Sequence, residues 1–559
     1  MSATGEARLA GWRVACVAAA LCGAQVCWSI QIGISTKTFL ELGMPASLVS
    51  AAWLAGPLSG TVVQPIVGVL SDRCTARLGR RRPFMLAALG VTLFAMALFA
   101  AAAPLGAALA GEPIHACAVE FIPQINGSST EGTRPVSSRC PMALSLAVTG
   151  FWLQDFAVNA FQGPTRTLMT DLIPPSQQAT ANAWFGFMAG LGNALGAALA
   201  AADIVAIFPF FGNNLRALYA VAGALVFCCV ILASATAHEV PLTLAMRERD
   251  KLRRRARRGV PSRVGAGVLD PADDVAAVVQ PERGFSLRTR MAEAWRAWQG
   301  ASAPLRHAFY VQCFTWIAWF TTFIYATSWM GERVFGGSPS APEGSAGRER
   351  YDEGVRRGNL ALALQAIFAL AATTPTPYTA AFLPWLMAAT STKAVYISSQ
   401  AVMAVCLFGT LGVTVAADAV GATAAVQAGG MACLILLGWC WAVTMTIPWA
   451  IAGSVIDAMP DKGLLMAIMN VSQAAPEMVA ALVGFVILSL PHGLNPWGSA
   501  MVMAAGGVSA VASIGVIVGL GVGDDVVVDD VTAVAVAGRG DDEHAESARS
   551  ASAPLLGGG

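Results

Sequence analysis

The stretch Phe151–Leu172, FWLQDFAVNAFQGPTRTLMTDL, sets Asp155, Asn159, Gln162 and Arg166 into an otherwise largely apolar run. Taking a carboxylate out of water is costly, so an ionisable group in hydrocarbon marks a candidate functional site. The chemistry on offer is proton binding by the acid and hydrogen bonding by the amides. Asp155 and Arg166 are eleven positions apart. That is about three helical turns, which puts them on nearly one face and about 16 Å apart along the axis. Pro164 lies between them, and a proline inside a membrane helix is tolerated only where neighbours satisfy the freed backbone groups.

The elements that must hold these residues follow from composition. The chain has 559 residues, of which 56% are hydrophobic and only 12% charged. A soluble domain carries about 25% charged residues. Apolar runs of membrane-spanning length recur through the sequence, each needing about 20 residues to cross. The fold class expected is therefore an all-α, polytopic membrane protein. The spans fall at about 13–36, 46–70, 83–106, 142–167, 179–204 and 214–236, then at about 305–330, 357–373, 394–416, 429–456, 463–489 and 497–522. This divides the chain into a head 1–12, a six-helix bundle 13–236, a central polar loop 237–304, a second six-helix bundle 305–522 and an acidic tail 523–559. The central loop is Arg-rich, then acidic around Asp270–Asp274, and reads as a disordered linker.

Arg73, Arg77, Arg80, Arg81 and Arg82 crowd the link between spans two and three, and eight basic residues from Arg247 to Arg258 open the central loop. Both links have the same parity, so both are expected in the cytoplasm, with the two termini on that side. The third link then lies outside. It carries Cys117 and Cys140, which an oxidising compartment could join, and the glycosylation sequon at Asn126. Most of the twelve cysteines, among them Cys16, Cys22, Cys228, Cys229, Cys406, Cys433 and Cys440, sit in apolar runs and read as packing residues. No metal site is expected, since there is no CxxC pair or His/Cys cluster. No nucleophile–base set appears in the spans, so the chain is not expected to be an enzyme. A net charge of +1, with the arginines in local clusters, argues against nucleic acid and leaves the lipid bilayer as the large partner.

Gly68–Pro83, GVLSDRCTARLGRRRP, ends a span at Asp72 and turns through Gly79 into a block of arginines. It resembles the cytoplasmic gate signature of the major facilitator superfamily, with extra residues between Arg73 and Gly79. Topology alone accounts for the arginines but not for Asp72. With that spacing SDRCTARLGRRRPF resembles the sucrose transporter family, and other stretches match in order: AQVCWSIQ, WLAGPLSGTVVQPIVG, GFWLQDFAVNAFQGPTR, ANAWFGFMAGLGNALG, TWIAWF, WMGERVFGG, YDEGVRRGNL, TIPWAIA and MNVSQAAPEMV. The matches run from about Gly11 to Val522 and leave the central loop and tail uncovered.

The resemblance implies twelve helices on the major facilitator fold and a proton-coupled symporter. Sucrose is the first candidate; maltose, glucose or another glycoside comes second, and a non-transporting receptor or scaffold is remote. It implies no cofactor, H+ as the coupling ion, a monomer, and the plasma membrane ahead of the vacuolar one. Asp155 matches the carboxylate that takes up the proton, and Arg166 its charged partner. Helix rise from Met142 sets Asp155 about 20 Å deep, near the midplane, where loss of water favours the protonated acid. The competing readings are a structural acid paired with an arginine, and for Arg166 a side chain that snorkels to water.

For a disaccharide the matched helices offer the amides Gln25, Gln31, Asn159, Gln162 and Asn193 and the rings Trp28, Trp316 and Trp319. Asp72, Arg73, Arg80, Arg81 and Asp171 match the gate. The sequence departs from the family at Ala326 and Ser328, which replace acids, at Glu332-Arg333, which reverses a charged pair, and at Ala46, where plant members carry a histidine. Glu477 stands where the family has a glutamine, giving with Glu332 and Arg333 a candidate second charge system.

Overall fold

The computed structural model describes residues 9–72, 74–111, 141–174, 177–239, 295–296, 298–373, 382–456, 462–491 and 493–520. Arg73, Asn126, Cys117, Cys140, the tail and nearly all of the central loop lie outside the described residues. Within them the chain is helical, with no strand.

Twelve long helices are found among the described residues. The first six are α1 Gly11–Glu41, α2 Ala46–Asp72, α3 Arg82–Ala100, α4 Pro141–Leu172, α5 Gln178–Ala201 and α6 Asn214–Thr236. The second six are α7 Ala303–Trp329, α8 Ala346–Thr373, α9 Thr392–Val420, α10 Ala424–Thr444, α11 Lys462–Ser489 and α12 Ser499–Leu520. Nine of the described helices are long and apolar enough to cross a membrane by composition; α4, α7 and α8 are long enough but too polar. Those three can sit in a bilayer only where neighbours cover their polar groups, so their sequences already demand inner positions.

The packing repeats. In the first six helices α1 packs on α5 and α6, α4 on α2 and α3, and α3 on α6. In the second six α7 packs on α11 and α12, α10 on α8 and α9, and α9 on α12, the same pairings six positions on. The two most extensive contacts between the sets, α2 with α11 and α5 with α8, are also counterparts under that shift, and α1 adds smaller ones with α7 and α8. The first helix of each set also carries a wide i→i+5 turn near one end, at Gln31–Ser35 in α1 and at Met330–Val334 just beyond α7.

Two boundaries differ from the sequence expectation. Helix α8 begins at Ala346 rather than near 357. Its charged first turns stay helical because Arg348 pairs with Asp352, and Arg356 and Arg357 both pair with Glu353, at three- and four-residue spacing. Helix α4 runs on through Pro164 to Leu172, so the proline does not end it.

Small residues let the helices of the first set approach. On α5, Gly192 and Gly196 share a face, and a Cβ at either would strike the backbone carbonyl of Cys22 or Val26 on α1. A Cβ at Gly186, on the same helix, would meet nothing. Replacing Gly192 by Leu is expected to lower the thermal midpoint of the detergent-purified protein, at an overpacking cost of about 1–3 kcal/mol. Gly186→Leu should leave the midpoint near the parent's, and equal melting of the two variants would refute the close approach.

Candidate functional site

Asp155 lies in the middle of α4 and is 1% exposed. Neither carboxylate oxygen has a hydrogen-bond partner, and no ion pair reaches it among the described residues. Gln31 of α1, fully buried at the wide turn, is the side chain that faces the acid, and its own amide atoms also lack partners of good geometry. Cys27 on α1, Tyr219 on α6 and Glu477 on α11 are near enough to act electrostatically on it. A carboxylate left so must either be neutral or face an incoming ligand, because an unpaired buried charge is not stable.

One and two turns further along α4 the amides form a connected set. Asn159 donates to Ser59 Oγ at 2.6 Å and to the Asp155 carbonyl at 3.0 Å, and accepts from Gln64 Nε2 at 2.6 Å. Gln64 also reaches Gln162 Oε1 at 3.4 Å. Asn193 of α5 accepts from Ser29 of α1 at 3.1 Å. Gln25 is half-buried beside Gly192, and Trp28 is half-buried with Gly56 at the edge of its ring. Across the interface, Trp319 donates to Thr444 at 3.2 Å, and Trp316 and Trp319 both meet Trp441 edge to face, at 6.1 and 5.0 Å. The indole nitrogen of Trp316 has no partner. Arg166 is exposed and forms no ion pair with Asp155 among the described residues.

The arginine turn is compact. Arg81, 3% exposed, bridges Asp72 at 2.5 Å, Asp171 at 3.2 Å and Ser71 at 2.6 Å, and Arg80 adds a second bond to Asp171 at 3.0 Å. Four of the five expected gate residues are thus brought together; Arg73 lies outside the described residues. Glu239, just beyond α6, was not anticipated. Its carboxylate accepts from the Arg81 backbone N–H at 2.9 and 3.0 Å and from that of Arg82 at 3.4 Å, capping the start of α3. Gly79 has φ +105° and its hydrogen faces that carboxylate, so only glycine fits there.

The polar contacts that join α1–α6 to α7–α12 gather at the opposite end. Thr36 donates to the Ile324 carbonyl at 2.7 Å, Asn359 to the Gly33 carbonyl at 3.2 Å, and Ser50 bonds Tyr325 through their hydroxyls. Lys37 pairs with Asp352 at 2.6 Å and Arg348 with Glu41 at 2.7 Å. Glu332 and Arg333 sit at this end on the wide turn, where Gly331 packs against Tyr351, and the Arg333 guanidinium lies beside Gly498.

Comparison with known proteins matches this architecture. Residues 36–260 match the family described as MFS/sugar transport protein. The sucrose transport protein SUC3 of Arabidopsis thaliana is 27% identical over 523 residues, covering 87% of this chain and 82% of that one. SUT3 of Oryza sativa subsp. japonica is 27% identical over 511 residues, covering 88% and 87%. The chain is thus similar, over most of its length, to proteins named sucrose transport proteins. Among solved structures, a D-xylose-proton symporter covers 90% of the chain and 95% of its own at 13% identity, with a TM-score of 0.50. A peptide transporter, POT, covers 91% and 94% at 10% identity, with a TM-score of 0.52. These likenesses place the chain on the major facilitator fold.

Sequence reading missed Gln64, Ser59, Trp441, Thr444 and the Lys37–Glu41–Arg348–Asp352 group. Gln64 had a signal, a lone amide in an apolar run; the ion pairs had none, because their partners are more than 300 positions apart. Removing Arg81 leaves Asp72 without its cation, while Asp171 keeps Arg80. Arg81→Ala is expected to lower the melting midpoint, since each charge-assisted hydrogen bond lost costs about 1.5–3 kcal/mol. Arg81→Lys should recover less than half, as an ammonium does not span Asp72, Asp171 and Ser71 together. A melt unchanged by Arg81→Ala would remove the residue from this role.

Proposed function

We propose that the chain is a proton-coupled sugar symporter, with sucrose the first candidate substrate, working by alternating access between two six-helix bodies, 13–236 and 305–522. Asp155 carries the reading: a carboxyl at mid-membrane with neither oxygen partnered, beside a run of amides, in a chain whose relatives are named sucrose transport proteins. Loop charge supports an arginine turn and both termini in the cytoplasm, which sets the end joined by Lys37–Asp352 and Arg348–Glu41, the latched end, outside; the plasma membrane is taken ahead of the vacuolar one.

In this cycle Asp155 takes a proton from outside and becomes neutral, which removes the electrostatic obstacle to closing hydrocarbon around it. Sugar hydroxyls engage Gln31, Asn159, Gln162 and Asn193, and Trp28 and Trp316 offer ring faces. Gln25 and Trp319 support the same wall; once the cytoplasmic side opens the proton leaves to cytoplasmic water, and the Arg166 cation stabilises the emptied carboxylate. The end closed by Lys37–Asp352 and Arg348–Glu41 fits a conformation that has already shut to the outside. The gate residues Asp72, Arg80, Arg81 and Asp171 keep the α2–α3 turn rigid while the bodies rock; Arg73 belongs to the same turn. Substitutions at Ala326 and Ser328 favour, as second reading, a glycoside other than sucrose, because they remove acids from the matched helix.

Labelled sucrose uptake into proteoliposomes under an imposed pH gradient tests the reading. The parent should accumulate sugar, and Asp155→Asn should accumulate markedly less under the same gradient while still exchanging sugar. Undiminished gradient-driven accumulation in Asp155→Asn would take the proton site elsewhere. Accumulation of maltose or glucose but not sucrose would keep the mechanism and change the substrate.

A further inference from the structure

Glu477 is unexplained by a single proton site. It lies in the middle of α11, directly after Pro476, and is 8% exposed. Its end of the helix, Ser489, is twelve residues on, and Asp155 is fourteen residues from the start of α4 at Pro141. Both helix ends are on the latched side, so the two acids sit at about 18 and 21 Å from it by helix rise, at nearly the same depth. Glu477 acts electrostatically on Asp155 from the other body.

Among the described residues no cation forms an ion pair with Glu477 or Asp155, and on its own helix Glu477 is faced by Gln473, one turn back. The elements packed on α11 are α2, α7 and α12 and the short helix Ile447–Ile456. Of their charged groups, Asp72 is held by Arg81 at the arginine turn, and Arg306 and His307 lie in the first turn of α7 at that same end. Tyr310 and Cys313 follow on α7, and Tyr325 is engaged by Ser50. Around Asp155 stand Gln31, Cys27 and Tyr219, none of them cationic, and Arg166 is three turns away. Two anions facing each other without water or a counter-ion repel. Closing the interface over them therefore calls for a proton on each.

We propose that Glu477 is a second proton carrier, loaded and unloaded together with Asp155, so that two protons move with each sugar. Each carboxylate gains one O–H bond from the outside solution and gives that proton up inside; nothing is oxidised or reduced. The inference rests on the symporter reading and adds its stoichiometry.

The test is the sugar accumulation ratio at equilibrium in proteoliposomes of the full chain, with membrane potential clamped at zero. For a gradient of about one pH unit the ceiling is about 10-fold with one proton and about 100-fold with two, each proton contributing about 1.4 kcal/mol. The parent is expected at the higher ceiling with labelled sucrose, Glu477→Gln at the lower one, and Glu477→Asp at the higher one. A parent at the one-proton ceiling, or Glu477→Gln still at two, overturns the proposal and leaves the symporter intact. A parent that moves none of sucrose, maltose and glucose overturns both.

A second measurement does not depend on the folding of Glu477→Gln. In Asp155→Asn, an infrared pH titration should retain one buried carboxylic C=O band that shifts when sucrose is added. Its absence from otherwise folded protein overturns the proposal.

Discussion

A carboxyl group at mid-membrane with no hydrogen-bond partner is the constraint to which the other elements answer. Asp155 makes α4 too polar to face lipid, so α4 must be enclosed, and α1, α2 and α3 pack around it. The same enclosure supplies Gln31 from the wide turn of α1 and Ser59 and Gln64 from α2. The glycine face of α5 lets α1 lie close, which holds Gln31 at the depth of the acid. An unsatisfied buried charge is costly, and an enclosure that keeps one has traded stability for a group that changes state.

The repeat gives this enclosure something to move against. The two main joints between the sets, α2 with α11 and α5 with α8, are exchanged by the same six-position shift. A contact set built on such symmetry can tilt about the site without unpacking either six-helix unit. The polar contacts then act as terminal latches, and on the arginine side the bonds stay within the first unit, joining α2, α3, α4 and the residues after α6. The arginine turn therefore keeps one body rigid, whereas the Lys37 and Arg348 pairs tie two bodies together.

Much of this was legible in the sequence because its signals are local. Spans, their order and the charged turn follow from runs of about twenty residues and from arginine clusters, and Asp155 stands out against its own neighbours. The start of α8 was not legible, since Arg348, Asp352, Glu353 and Arg357 look like loop until their helical spacing is seen to pair them. Glu239 was hidden for another reason: it caps a helix that begins 157 positions earlier in the chain. The latch is legible only in three dimensions. Of the three tryptophans read as ring faces, Trp319 is fully buried against Trp441 and Trp28 is half-buried, a difference that residue type alone does not show.

The latch has a consequence for the setting in which the molecule works. Lys37, Glu41, Arg348 and Asp352 keep between about a sixth and a third of their side-chain surface open to solvent. Partly exposed ion pairs are weakened by dissolved electrolyte, with a screening length of about 8 Å at physiological ionic strength. The resting preference between the two openings is thus set in part by the ionic strength of the fluid bathing that end. Dilute fluid holds this face shut and concentrated fluid loosens it, a sensitivity to surroundings that involves neither the proton nor the sugar.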